Sequence, residues 1–99
     1  MDFSVAGFDW DDGNWPKCGK HGVSREEIER LFRDDPAVYA DPNHSLEEQR
    51  LRAIGPSKAG RWLLVAFTLR RRGGRLLIRP VSARHMHKRE VDHYERQKK

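Results

Sequence analysis

Hydrophobic positions along the chain fall into two periods. Between Ser24 and Arg33, Ile28, Leu31 and Phe32 recur on one helical face, with Glu29, Arg30 and Arg33 elsewhere. Ser24 stands three residues before Glu27, the capping-box spacing in which each side chain satisfies the other residue's free N–H. Asp35-Pro36 ends this helix, because a proline disfavours the α region for the residue before it. A second helix is expected near the C-terminus, where His87, Val91 and Tyr94 line up at spacings of four and three. The tail 96–99 is expected to fray.

The other period is two. Arg61 to Leu69 is apolar on both faces and reads as a central strand. Arg70-Arg71-Arg72-Gly73-Gly74 is a hairpin connection, and Arg75 to Ala83 returns as the next strand. Pro80 interrupts that strand, which implies a bulge or an edge position. Ala37 to Ala40 forms a short strand, 41–45 a turn, and Glu48 to Ile54 an alternating strand. Gly55-Pro56 and Lys58-Ala59-Gly60 make the turn that follows. Met1 to Trp10 is expected as a first strand with a bend near Gly7, since Phe3 and Val5 share one face and Phe8 and Trp10 the other. Asp9, Asp11 and Asp12 then cap a short helix whose first turn holds Pro16, and Lys20-His21-Gly22 stops it. This order predicts one α+β domain over 1–99: a small antiparallel sheet packed with N-terminal helices and a C-terminal helix.

Composition sharpens the picture. With 36% hydrophobic and 35% charged residues in 99, the core is small and the surface heavily charged. The single Cys18 excludes an intramolecular disulfide, and no apolar run reaches the roughly 18 residues of a membrane span. The start of the chain lacks a basic-then-apolar signal pattern, so a cytoplasmic location is expected. The net charge of +5 conceals an asymmetry: residues 1–49 carry 5 basic and 12 acidic side chains, residues 50–99 carry 15 and 3. A basic half of this kind points to a polyanion partner. Folding that interleaves the halves and pairs their charges is the alternative.

The segments Phe8-Asp9-Trp10-Asp11, Lys20-His21-Gly22-Val23-Ser24, Asp41-Pro42-Asn43-His44-Ser45, Glu48-Gln49-Arg50, Gly55-Pro56-Ser57, Phe67-Thr68-Leu69-Arg70 and Ser82-Ala83-Arg84, with Glu90 and Tyr94, occur in this order. As an ordered set they resemble the BrnT family, the toxin component of type II toxin–antitoxin pairs. The resemblance implies a fold similar to the RelE-type ribonuclease toxins and metal-independent RNA cleavage that stops translation, with no cofactor. It also implies a BrnA-like ribbon-helix-helix antitoxin, operator DNA bound through that antitoxin, and a higher-order toxin–antitoxin oligomer.

RNA cleavage through the ribose 2′-hydroxyl needs a base, cations for the phosphorane-like transition state, and an acid for the leaving oxygen. Arginine suits the cationic role, since its planar fork binds two phosphate oxygens and stays charged. Arg70 matches the family's Thr-x-Arg, and Arg79 and Arg84 frame Ser-Ala-Arg; these three are the expected catalytic arginines. Arg79 and Arg84 have opposite parity, so only a bulge or a strand end between them lets them share a face. His21, His44 and Glu48 are the acid or base candidates, against helix-capping, turn-forming and ion-pair roles. Arg71, Arg72 and Arg75 at the hairpin tip, with Arg61, are expected to grip backbone phosphates. Trp10, Trp15, Trp62, Tyr39 and Tyr94 are stacking candidates, with core packing favoured for Trp62 and sheet packing for Tyr94. No set of Cys18, His21, His85, His87 and His93 has zinc spacing, and Asp9, Asp11 and Asp12 serve as caps without a metal. Two other readings stay open: a non-enzymatic RNA- or protein-binding module of the same fold, and a gyrase-poisoning toxin.

Overall fold

A computed structural model of the chain describes residues 5–41 and 49–97. The elements in order are β1 (Gly7–Phe8), a 3-10 turn (Lys17–Gly19), α1 (Arg25–Arg33), β2 (Ala37–Ala40), β3 (Leu51–Pro56), β4 (Trp62–Arg72), β5 (Arg75–His85) and α2 (Lys88–Gln97). The strands form one sheet in the order β1-β5-β4-β3-β2. From β2 to β5 every pairing is antiparallel, and β1 joins the outer edge of β5 in parallel. The class is α+β, as the order of elements implies. The parallel edge makes the sheet mixed.

Odd-numbered positions of β4 build the core. Leu63, Val65 and Phe67 are fully buried and meet Ile28, Leu31 and Phe32 of α1. Phe32 stands edge-on to Phe67 at 4.9 Å and to Phe8 at 5.9 Å. Each such side chain contributes roughly 1.5–3 kcal/mol through the water it leaves, so this face anchors the helix. The capping box forms as its spacing requires: Glu27 N–H donates to Ser24 Oγ at 3.1 Å, and Ser24 N–H donates to Glu27 Oε1 at 3.1 Å. The helix ends at Arg33, and Asp35 before the proline sits at φ 57°.

Several local expectations are corrected. Asp9, Asp11 and Asp12 cap no α-helix; only the three-residue 3-10 turn forms, and it has no side-chain cap. Asp11 instead accepts from Gly13 N–H at 2.7 Å, closing a turn. Among the described residues the first strand shrinks to Gly7–Phe8. The bend near Gly7 is present, at φ 155°, and it lets both Val5 and Phe8 pack on the core. Gly55 and Pro56 belong to β3, so the turn is 57–60, closed by Gly60 N–H to Ser57 O at 2.9 Å. Arg70, Arg71 and Arg72 lie in β4, leaving Gly73 and Gly74 as the whole turn. Their φ values of 58° and 79° are those of a two-residue hairpin turn that needs positive φ at both positions. Residues 1–4, the 41–45 turn beyond Asp41, and Lys98-Lys99 lie outside the described residues.

The opposite face of the sheet carries the even-numbered residues of β4. There α2 covers one end: Tyr94 packs on Trp62 at 5.5 Å and on Tyr39 at 6.0 Å. No side chain of α2 is fully buried. The remainder of this face is where the arginines gather.

Candidate nucleic-acid interface

A single extra residue decides which arginines share the open face. β4 and β5 pair Ala66 with Ser82 and then Phe67 with Pro80, so Val81 is the bulged residue. Beyond it the parity of β5 changes. Arg84 faces Leu64 and Arg79 faces Thr68, and Leu64 and Thr68 lie on one face of β4. Arg79 and Arg84 therefore come to the same side as Arg70, Arg72 and Arg52, opposite α1. Asn14, which sequence reasoning overlooked, fixes the bulge. It is buried, and its Nδ2 donates to Pro80 O at 2.8 Å and to Asp9 O at 2.9 Å. Its Oδ1 accepts from Asp11 N–H at 2.8 Å. An Asn in a polar loop gives no sequence signal for a partner 66 residues away.

The face is laid out in rows by the sheet register. Tyr39, Arg52, Ala66 and Ser82 make one row, and Ala37, Ile54, Leu64 and Arg84 the next. Arg84 lies opposite Leu64, six residues from Arg70 along β4, which is about 20 Å at strand spacing. One phosphate cannot meet both. The arginines form a track along the sheet rather than a single clamp.

Acidic residues from the front half reach into this track. Arg79 is 12% exposed and holds Asp11 through both Nη atoms at 3.0 Å, with Asp9 at 3.3 Å. These bonds raise the Arg79 pKa and pull the Asp11 carboxyl below its ordinary value. Arg72 also reaches Asp9, at 3.0 Å. Buried Asp41 lies 3.5 Å from Arg52 and 3.8 Å from Arg50. At the α2 end, Arg84 makes a two-bond fork with Glu90, at 2.7 and 2.8 Å. That fork, with the His87 N–H, holds the Glu90 carboxyl down at about 2. Both readings of the charge asymmetry therefore apply: the halves pair, and an arginine surplus still remains on one face.

The expected residues divide as follows. Arg70, Arg79 and Arg84 are brought to one face, with Arg79 and Arg84 each bonded to carboxylates. Arg72 is on that face, while Arg71 alternates to the other. Arg75 at the hairpin tip reaches Ala6 O at 3.5 Å. Arg61 is exposed in the turn at the opposite end of β4. His21 is exposed after the 3-10 turn, whose Cys18 enters the core. His44 and Glu48 lie outside the described residues. Trp10 and Trp15 form their own edge-on pair at 5.5 Å, and Arg25 lies over Trp10 at 4.9 Å. Burial raises the Cys18 thiol pKa, which keeps it protonated and unreactive. Among the described residues no three His, Cys, Asp or Glu side chains converge into a metal-holding group. Nor is any described helix long and apolar enough to cross a membrane.

Against this geometry, residues 10–90 match the sequence model of the ribonuclease toxin, BrnT, of type II toxin–antitoxin systems. The chain belongs to the BrnT family. No curated protein matches it. As a BrnT toxin it belongs to a ribonuclease family and to a system whose other half is an antitoxin. The BrnT match runs from Trp10 to Glu90, so it takes in Asn14, the Val81 bulge, Arg70, Arg79 and the Arg84–Glu90 fork. It stops short of most of α2, which contains no buried residue.

Proposed function

We propose that the chain is a metal-independent endoribonuclease that arrests translation by cutting RNA across the arginine face of its sheet. The observation that carries this reading is the Val81 bulge, which gathers Arg70, Arg79 and Arg84 on the face that α1 leaves uncovered. Arginines cannot accept a proton at neutral pH, so they stabilise charge on the phosphorane-like transition state. Arg70 takes that role in the proposal, and Arg84, about 20 Å along the track, grips another phosphate of the same RNA strand. Arg79, tied to Asp9 and Asp11, acts as a positioning residue that sets the height of the track. Proton transfer falls to Glu48 and His44, which precede Arg50 in the chain. Arg72, Arg75 and Arg61 steer backbone phosphates from the two ends of β4, while Arg71, on the other face, takes no part.

The fold is read as RelE-like, and the chain is taken to work in the cytoplasm. The partner is proposed to be a BrnA-like ribbon-helix-helix antitoxin that carries operator DNA and assembles with the toxin into a larger oligomer. Antitoxin laid over the arginine face would exclude RNA by supplying carboxylates, as Asp9, Asp11 and Glu90 already do within the chain.

Purified protein incubated with RNA in EDTA tests the reading. Fragments are expected, and Arg70→Ala and Arg84→Ala should each slow their release at least tenfold. RNA left intact both in EDTA and with magnesium refutes it. Binding with a steep salt dependence and no fragments would instead assign a non-enzymatic RNA-binding role. The carboxylates already held by Arg79 and Arg84 favour that alternative.

A further inference from the structure

One row of the arginine face is built unlike the others. Extending the β2–β3–β4 register by one residue places Asp41, Arg50 and Thr68 side by side, and Thr68 faces Arg79 on β5. The Asp41 N–H bond to Arg50 O at 2.9 Å fixes that extension. Asp9 follows Phe8, whose partner is Ile78, and so closes the row beyond Arg79. The row reads carboxylate, guanidinium, hydroxyl, guanidinium, carboxylate. At its centre Thr68 is 6% exposed, and its Oγ1 meets no hydrogen-bond partner among the described residues. Among the described residues Arg50 Nε is likewise buried without a hydrogen-bond partner; the Asp41 oxygen at 3.8 Å is too far to accept from it.

Two neighbouring buried donors without acceptors are rare in folded proteins, and each costs stability while it stays unmet. A hydroxyl and a guanidinium N–H at neighbouring positions on one face call for an oxygen that accepts twice. We infer that Arg50 and Thr68 form a phosphate-binding subsite, which takes one backbone phosphate of the RNA between Arg70 and Arg84, nearer Arg70. Asp9 holds Arg79 from one end of the row, while Asp41 pairs with Arg52 at 3.5 Å and stands 3.8 Å from Arg50 Nε, beyond hydrogen-bond reach. The phosphate approaches along Arg50, whose side chain remains 28% exposed. The RNA identity of the ligand rests on the nuclease reading; the subsite itself rests on the two unmet donors.

Melting of the full chain is followed in inorganic phosphate and in chloride at matched ionic strength, for wild type, Thr68→Val, Thr68→Ser and Arg50→Gln. Phosphate should raise the wild-type and Thr68→Ser midpoints, and leave those of Thr68→Val and Arg50→Gln unchanged. In chloride alone Thr68→Val should melt higher than wild type, by a few degrees, because the unmet hydroxyl is gone. A purely structural threonine would show no loss of the phosphate response. In parallel, Thr68→Val should weaken binding of a fully 2′-O-methylated oligoribonucleotide about tenfold. Equal phosphate shifts in wild type, Thr68→Val and Arg50→Gln overturn the subsite, whether or not the protein cuts RNA. A phosphate shift lost in those variants, in a protein that leaves RNA intact, upholds the subsite and removes the nuclease reading instead.

Discussion

Replacing Asn14 with Ala tests whether the bulge is held by a side chain or by the strands themselves. Asn14 is 1% exposed and makes three hydrogen bonds to main-chain groups, at 2.8, 2.8 and 2.9 Å. Its loss leaves Pro80 O and Asp9 O without their donor and Asp11 N–H without its acceptor. At about 1 kcal/mol net for each bond, the cost is about 3 kcal/mol. A domain of this size has roughly 5–15 kcal/mol in total, so the variant should still fold. Urea unfolding followed by tryptophan fluorescence and circular dichroism should show a lower midpoint with an unchanged slope. The melting temperature should drop by roughly 12–24 °C. Asn14→Asp should be at least as damaging at neutral pH, because it turns a carboxylate toward two carbonyl oxygens. At a temperature where the Ala variant is folded, RNA cleavage should still fall, since Arg79 and Arg84 lose their common alignment. A stability loss under about 1 kcal/mol, with wild-type cleavage, refutes the argument: the bulge would then be set by Pro80 and the strand register alone.

Glu90→Gln should lower stability at neutral pH by about 1 kcal/mol, the fork with Arg84 being discounted for its partial exposure. Because the folded carboxyl sits at about 2 against an ordinary 4.5, its contribution is complete above pH 4.5 and vanishes as pH falls through about 2. The difference between variant and wild type in denaturant titrations should close over that window; a constant gap would exclude the fork as its source. Gly55→Ala would place a methyl 2.8 Å from Leu31 Cδ1 and 3.7 Å from Pro36 Cβ, so a loss of about 1–3 kcal/mol is expected. Combining it with Leu31→Val should recover part of that loss in a double-mutant cycle, and simple additivity would count against the contact.

Much of the architecture was legible because local chemistry and packing agree. The capping box at Ser24 and Glu27, the apolar stripe Ile28-Leu31-Phe32 and the two-sided apolar run of β4 each identify their own element. So do the paired glycines of the hairpin. The early aspartates misled, since Asp is equally at home as a helix cap, a turn former and an ion-pair partner. Only the position of Arg79 selects among these. Asn14 left no trace in the sequence, because a single polar residue in a loop acquires its partners from strands that fold back over it.

The arginines show the same division. Their number, their concentration in residues 50–99 and the BrnT motif order belong to the sequence, and they already indicate a polyanion-handling surface. Alternation along a strand gives each residue's face relative to its neighbours, but a bulge reverses that parity, and Pro80 announced a bulge or an edge without saying which. Tertiary pairing decided it: β4 skips Val81, Arg79 and Arg84 align, and the acidic front half supplies Asp9, Asp11 and Asp41 to the same face. Side-chain type is fixed residue by residue, whereas which side chains meet depends on a register set across four strands at once.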